Sequence, residues 1–275
     1  MAYERSPVWL AAMLALVLAE VGWRIARGHG YDGRAALATL GLALGYIPVA
    51  ALNAAVLSGA YMFAWRIAPI HLPVTDWRTW AAGFLMVEFA YYWFHRASHR
   101  VRWLWATHAV HHSAEQMTLL ASLRLGWTNL FSAGWVFYVP LILLGLPPLV
   151  VVALLAFDLR YQFFLHTEAV GKLGPLEWVL NTPAHHRLHH ASNDAYLDRN
   201  YGGVVIVFDR LFGTVGEERA DEPIRYGLAH RTASANPFVL ALREWRLMLG
   251  DAWRAPTLRA KWRALFAPPT APEKP

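Results

Sequence analysis

The most constraining feature of this 275-residue chain is a pair of long segments without a charged side chain. One runs from Ala35 to Trp65 and the other from Leu125 to Phe157. A helix needs about 20 mostly apolar residues to cross the hydrocarbon core of a bilayer, so each segment is long enough to do so. With 56% hydrophobic and 16% charged residues, the composition excludes a disordered chain and an ordinary soluble domain.

The second of these segments is too long for one straight crossing. A single helix over its 33 residues would extend about 50 Å, against roughly 30 Å for the hydrocarbon core. Pro147-Pro148, just after Gly145, marks the expected turn. The sequence therefore predicts a hairpin of two helices, near residues 127–145 and 149–165.

Two shorter apolar segments predict further spans. They lie near residues 6–23 and 79–95, and are interrupted by Glu20 and Glu88 respectively. Together with the span within 35–65, these segments indicate an all-α integral membrane protein with four to five transmembrane helices. Its expected parts are transmembrane helices over 6–170, a histidine-rich helical cap in the cytosol over 171–235, and a basic amphipathic tail over 236–275, all in one domain of residues 1–275.

Histidine is concentrated in one stretch of the chain. Ten of the 13 histidines lie within residues 95–190, and the chain has no cysteine that could serve as a thiolate ligand. Residues four apart on a helix lie on one face, so His95 and His99 can bind one ion together. The pattern His-x-x-His-His occurs twice, and each copy offers three imidazoles from a single helical turn. The candidate metal ligands are His95, His99, His108, His111, His112, His166, His185, His186, His189 and His190.

This inventory is larger than one ion requires. A tetrahedral ion takes four ligands, so nine candidates with His185 as a tenth indicate two metal ions with positions left open for oxygen or water. Imidazole suits iron, zinc, copper and nickel, so the ligand type does not choose among them. Three carboxylates are candidates to accept the other N–H of a metal-bound imidazole: Glu88, Asp158 and Glu168.

The predicted spans place both histidine-rich regions on one side of the membrane. The chain crosses twice between residues 112 and 166, so the two regions emerge on the same side. Cytoplasmic loops carry an excess of Lys and Arg, which assigns this side to the cytoplasm. The basic residues concerned are Arg96, Arg100, Arg102, Arg124 and Lys172. The net charge of +6 is thus explained by a membrane surface, and no nucleic acid is expected as a partner.

The three histidine motifs, in this order, resemble those of the fatty acid hydroxylase and sterol desaturase superfamily of integral membrane di-iron enzymes. The resemblance covers roughly residues 80–230. Within the superfamily, the segments 181–190, 200–203 and 209–214 are similar to the alkylglycerol monooxygenases. The resemblance implies two iron ions bound by the motif histidines, O2 as co-substrate, and a membrane lipid, sterol or alkyl chain whose C–H bond is hydroxylated.

The resemblance leaves the source of electrons open. No nucleotide-binding glycine motif, flavin site or haem-domain motif occurs in the sequence, so the electrons are expected from a separate protein or a small reductant. Tetrahydrobiopterin is one candidate. Arg100, however, stands where the alkylglycerol monooxygenases carry an acidic residue linked to that pterin.

Three alternatives remain open at this stage. Desaturation begins with the same hydrogen abstraction as hydroxylation and would use the same di-iron site. A bis-histidine haem electron carrier would place its ligands inside the spans on separate helices. A metal transporter would need polar residues at mid-membrane, where Glu88 is the main candidate.

Overall fold

The computed structural model describes residues 7–229, 231 and 234–269. The first residue of the span predicted near 6–23 and the last six residues of the tail lie outside these ranges. Regular structure within them is helical, apart from two isolated bridges between single residues. The α-helices are α1 (Pro7–Ala26), α2 (Gly33–Ile67), α3 (Trp77–Arg100), α4 (Arg102–His112), α5 (Asn129–Ser132), α6 (Val139–Leu143), α7 (Pro148–Leu165), α8 (Pro183–His189), α9 (Val207–Leu211), α10 (Pro237–Arg254) and α11 (Leu258–Phe266).

Capping side chains set the start of α2, α3 and α8. The side chain of Asp32 accepts hydrogen bonds from two backbone N–H groups at the start of α2, and Asp76 accepts one at the start of α3. Thr182 caps α8, and Pro183 follows as its first residue. These residues satisfy N–H groups that have no partner within a helix, so each start is fixed by the local sequence.

Among the described residues, two helices are long and apolar enough to cross a membrane: α2 and α7. Large apolar side chains of α2 are exposed, among them Leu37 at 70% and Leu44 at 66%. Such a surface is consistent with contact with lipid. The predicted spans near 6–23 and 79–95 are also helical, as α1 and α3.

The hairpin predicted over 127–165 is only half correct. Its turn is where the sequence placed it, because Gly145 has a φ of +96° and Pro148 begins α7. Its first limb, however, is not one helix: α5, a 3₁₀ segment over Gly134–Tyr138 and α6 follow each other. Ala133 adopts a left-handed φ of 60° between the first two pieces. Pro140 has no N–H to continue a helical hydrogen-bond ladder, which explains the second break.

Two clusters of buried side chains hold the helices together. One joins α2, α3, α6 and α7 around Val87, Ile142 and Val150. The other joins α2, α4 and α10 around Leu42, Val110 and Ala241. The described part of the predicted tail, 236–275, contains the helices α10 and α11, and α10 is also part of the packed core.

Charges within the predicted spans are paired inside the protein. Glu20 of α1 is 4% exposed and accepts hydrogen bonds from the Leu119 backbone N–H at 2.7 Å and the Thr167 hydroxyl at 2.5 Å. Arg24, one turn later, forms an ion pair with Glu168 at 2.5 Å. These contacts attach α1 to the segment that follows α7, which carries His166.

Candidate metal centre

Four stretches of chain bring the histidine motifs together at one end of the helices. His95 and His99 lie in the last turns of α3, and the first His-x-x-His-His pattern forms the last turns of α4. His166 directly follows α7, and the second pattern lies on α8 and the residue after it. The convergence predicted from the order of the motifs is therefore present in the structure.

Nine of the ten predicted ligands form two groups of potential metal donors. In each group, the donor atoms all lie within 4.8 Å of one another. The five-histidine group consists of His95, His99, His108, His112 and His189; the four-histidine group consists of His111, His166, His186 and His190.

The five-histidine group converges on a point near the Nε2 atom of His108. This atom lies 3.0 Å from Nε2 of His95, and 3.1 Å from Nε2 of both His99 and His112. A neutral imidazole nitrogen carries either one proton or one lone pair, so it cannot form three hydrogen bonds to other ring nitrogens. The arrangement is instead one that could hold a common cation.

The opposite ring nitrogens determine which way two of these imidazoles present their lone pairs. The Nδ1 atom of His95 lies 2.8 Å from the backbone carbonyl oxygen of Tyr201, and that of His189 lies 2.8 Å from the carbonyl oxygen of Arg199. A carbonyl oxygen can only accept, so each Nδ1 carries the proton. The Nε2 atom of His189 is buried and has no hydrogen-bond partner among the described residues, as expected for a metal ligand.

The four-histidine group is arranged in the same way. The Nε2 atom of His111 lies 3.2 Å from that of His166 and 3.1 Å from that of His190. His186 Nε2 lies 3.1 Å from His166 Nε2. The Nδ1 atom of His166 donates to the backbone carbonyl oxygen of Gln162, 2.6 Å away, so its Nε2 also presents a lone pair.

The distances fit a transition-metal ion. Two nitrogens bound at about 2.1 Å and about 90° apart lie about 3.0 Å from each other. Burial also keeps the imidazoles neutral: it lowers the pKa of His189 to about 4, although the Arg199 carbonyl acts in the opposite direction. It likewise holds the pKa of His112 and His190 well below the ordinary value. Neutral imidazole is the form that binds metal.

The two groups adjoin and share their supporting helices. The rings of His112 and His190, one from each group, stack with centroids 4.3 Å apart. Helix α4 supplies His108 and His112 to one group and His111 to the other. The arrangement therefore fits two neighbouring metal ions and agrees with the inventory drawn from the sequence.

A cavity of about 280 Å³ opens onto the five-histidine group. Three of that group's histidines, His99, His112 and His189, line it, and none of the four-histidine group does. The ion pair between Arg231 and Glu244, 2.9 Å long, forms part of its wall. Small molecules can therefore approach one of the two groups from this side.

The remaining predicted site residues lie outside both groups. His185 is buried beside Thr182, whose hydroxyl lies 3.5 Å from its Nδ1, and does not converge with the other nine. Glu168 is paired with Arg24, and the nearby His166 uses the Gln162 carbonyl. The structure therefore does not bring Glu168 to an imidazole.

Glu88 and Asp158 are buried together, but neither accepts a hydrogen bond from a ligand imidazole. Glu88 Oε2 accepts from the backbone N–H groups of Val204 and Val205, each at 2.9 Å. Asp158 Oδ2 accepts from the Gln162 side chain at 2.8 Å. Glu88 thus holds the backbone at residues 204 and 205, and Asp158 holds the side chain of Gln162.

Sequence reasoning missed the segment that orients two of the ligands. The carbonyl groups of Arg199 and Tyr201 accept from His189 and His95, and Asp209 holds the segment through two backbone N–H groups. Backbone carbonyls leave no direct signal in a sequence. The one hint in the sequence is the run Asn200-Tyr201-Gly202-Gly203 followed by Asp209, which also carries the resemblance to the family.

Fold and site together define a helical protein with two adjacent groups of histidines, each of which could hold a metal ion. Residues 80–214, which contain all nine converging histidines, match the model of the fatty acid hydroxylase family. These residues therefore form a fatty acid hydroxylase domain, as the motif resemblance predicted.

Curated relatives agree with this assignment. An alkylglycerol monooxygenase of Xenopus tropicalis is 40% identical over 218 residues, which cover 78% of this chain and 48% of the relative. One from Danio rerio is 47% identical over 172 residues, covering 62% of this chain and 38% of the relative. An ornithine lipid hydroxylase of Rhizobium tropici is 31% identical over 132 residues, covering 48% of this chain and 40% of the relative. The chain thus spans less than half the length of these relatives. No solved structure matches it significantly.

Proposed function

We propose that this chain is an O2-dependent monooxygenase that hydroxylates a membrane lipid, using one iron ion in each histidine group. The observation that carries the proposal is the convergence of nine imidazole nitrogens on two adjacent points. Iron bound there would supply the O2 and one-electron chemistry that amino-acid side chains lack. The names of the relatives, two of which are monooxygenases and one a lipid hydroxylase, favour hydroxylation over desaturation.

The protein's own contribution is to hold the ligands neutral and correctly oriented. Burial keeps the imidazoles unprotonated, and the carbonyl groups of Gln162, Arg199 and Tyr201 fix three rings through Nδ1. Imidazoles held in place by a hydrogen bond at the second nitrogen do not have to reorganise when a metal binds. Buried side chains around the groups, such as Tyr92 and Leu188, exclude bulk water.

A haem site is a poorer explanation of the same histidines. Two axial imidazoles bind haem iron from opposite faces of the porphyrin, which keeps their nitrogens well apart. Nitrogens of five clustered rings that approach to 3.0 Å leave no room for a macrocycle between them.

We further propose that the chain crosses the membrane several times, with α1, α2, α3, α7 and the broken 129–143 segment in the bilayer. The apolar exposed surfaces of α2 and α7 support this placement, and Lys and Arg near the histidines favour a cytoplasmic site. The lipid would approach from the bilayer. Electrons would come from a separate donor, for which the cavity beside the five-histidine group offers access.

The experiment is mass spectrometry of lipids from cells that express the wild-type chain or His189→Ala under ¹⁸O2. We expect a lipid that gains one labelled oxygen only with the wild type. The matched control is His29→Ala, because His29 stacks on Trp23 outside both groups and its loss should leave the product unchanged. A product lacking two hydrogens would establish desaturation instead, and identical lipids in wild type and His189→Ala would refute the assigned site.

A further inference from the structure

We propose that Asp209 is a positioning residue for the five-histidine group, acting through the backbone of residues 199–201. The proposal rests on the proposed metal centre but concerns a residue far from the histidine motifs in sequence. Asp209 touches no imidazole of the described residues. It holds the stretch of backbone whose two carbonyl groups orient His95 and His189.

The carboxylate of Asp209 accepts three hydrogen bonds. Oδ1 accepts from the Tyr201 N–H and the Thr214 hydroxyl, and Oδ2 accepts from the Gly202 N–H, all at 2.7 Å. The residue is 0% exposed. Burying a carboxylate is costly unless it is fully hydrogen-bonded, and short bonds from backbone N–H groups to a carboxylate are among the strong ones. The segment is therefore fixed by an interaction that tolerates little displacement.

The backbone held in this way connects two helices of the site. The carbonyl oxygen of Arg199 accepts a hydrogen bond from Nδ1 of His189 on α8, and that of Tyr201 accepts one from Nδ1 of His95 on α3, both at 2.8 Å. Asn200 lies between them with a φ of 56°, and its side-chain amide donates to the carbonyl of His185 at 3.0 Å. One short segment thus sets the ring orientation of ligands that come from two separate elements.

The loop that continues from residues 199–202 is also held by a second buried carboxylate, that of Glu88 on α3, which serves as an internal comparison. Glu88 also accepts two backbone N–H groups, those of Val204 and Val205, and is 2% exposed. The N–H groups that donate to Glu88 belong to residues 204 and 205, which follow in sequence the two carbonyl groups that orient His95 and His189. The structure therefore assigns ligand orientation to Asp209 and only attachment of the loop to Glu88.

The test compares Asp209→Asn with Glu88→Gln in the full chain, purified in detergent. Each substitution keeps the shape of the side chain and places an amide where a carboxylate accepted backbone N–H groups. Cobalt(II) replaces iron as the probe, because its visible absorption reports ligand geometry without substrate, O2 or electron donor. Reference spectra from His99→Ala and His186→Ala identify the signals of the five-histidine and four-histidine groups.

We expect Asp209→Asn to weaken cobalt binding at the five-histidine group by about 10- to 100-fold and to alter its absorption, as loss of a group that orients a ligand does elsewhere. The four-histidine signal should persist, and Glu88→Gln should retain both signals. Thr214→Val removes one of the three hydrogen bonds of Asp209 and keeps the carboxylate, so it should fold and show a smaller change in the same signal.

The outcomes separate this proposal from the proposed function. Cobalt bound at both groups with a five-histidine spectrum unchanged in Asp209→Asn and Thr214→Val would overturn the role of Asp209 alone. Equal losses in Asp209→Asn and Glu88→Gln would also overturn it, since they would indicate general loosening of the loop. A wild-type chain that binds no metal would overturn the metal centre and the positioning role together.

Discussion

The five-histidine and four-histidine groups use the same kind of ligand but differ in access and in support. Three ligands of the five-histidine group line the 280 Å³ cavity, whereas the four-histidine group contributes nothing to it. The five-histidine group depends on carbonyls from the loop at 199–201, while His166 of the other uses the carbonyl of Gln162 in its own helix α7. From this comparison we expect small molecules to exchange at the five-histidine group. The four-histidine group is instead held by a contact to helix α7 and has no access from the cavity.

The largest expected effects come from removing a ligand from either group. His108→Ala deletes the donor nearest to three others, and we expect iron to fall from about two to about one per chain, with a loss of activity of at least about 100-fold. His186→Ala should remove the other iron. Metal analysis of the purified variants checks both. An unchanged iron content in either variant contradicts that residue's assignment.

The difference in access predicts an order of metal release. A hydrophilic chelator should extract metal from the five-histidine group on the order of 10-fold faster, because its ligands line the cavity. Ala229→Trp places a large side chain in the cavity wall and should slow only this faster phase. The measurement is the time course of metal extraction, whose two phases are assigned by repeating it with His99→Ala and His186→Ala. Equal rates from both groups would show that the cavity is not the route of exchange.

A third prediction concerns the contact between the loop that supports the five-histidine group and helix α7, which supports His166. A Cβ atom on Gly203 would overlap the carboxylate of Asp158 on α7. We expect Gly203→Ala to lower the free energy of unfolding by about 1–3 kcal/mol, since the packed backbone leaves little room for adjustment. Thermal denaturation in detergent measures this against Gly171→Ala, where an added Cβ meets nothing within 4 Å. Equal stability of the two variants would mean that the loop is not clamped against α7.

The smallest expected effect concerns Glu168, which lies close to His166 in sequence. Because Glu168 pairs with Arg24 and not with an imidazole, Glu168→Gln should leave the metal content of both groups unchanged. Its cost should be about 1 kcal/mol of stability, as it weakens a partly exposed ion pair and keeps a hydrogen-bond acceptor. Loss of metal from the four-histidine group alone would restore Glu168 as a partner of His166.

The histidines that converge could be predicted from the sequence, but their division into two groups could not. In each His-x-x-His-His pattern, the first and last histidines join one group and the middle one joins the other: His108 and His112 separate from His111, and His186 and His190 from His189. Residues i and i+4 lie nearly above one another on a helix, while i+3 is rotated to the other side of that line. The spacing contained this information, although the predicted inventory counted three imidazoles on one face.

Other parts of the structure depend on tertiary contacts that residue patterns do not encode. The limb at 129–143 has an apolar pattern typical of a span, but a left-handed Ala133 and Pro140 break it. Asp209 is separated from the segment it fixes by a turn, and the carbonyls that orient two ligands are the same in every residue type. The tail helix α10 was predicted as amphipathic, but not as a wall of the cavity.

The most direct test of the account is the metal content of the purified, folded chain combined with X-ray absorption at the iron edge. Two adjacent ions held by the nine histidines predict about two irons per chain, each surrounded by nitrogen at about 2.1 Å. One iron per chain, or a first shell dominated by sulfur or porphyrin nitrogen, would contradict the two-group centre on which the proposed oxygenase depends.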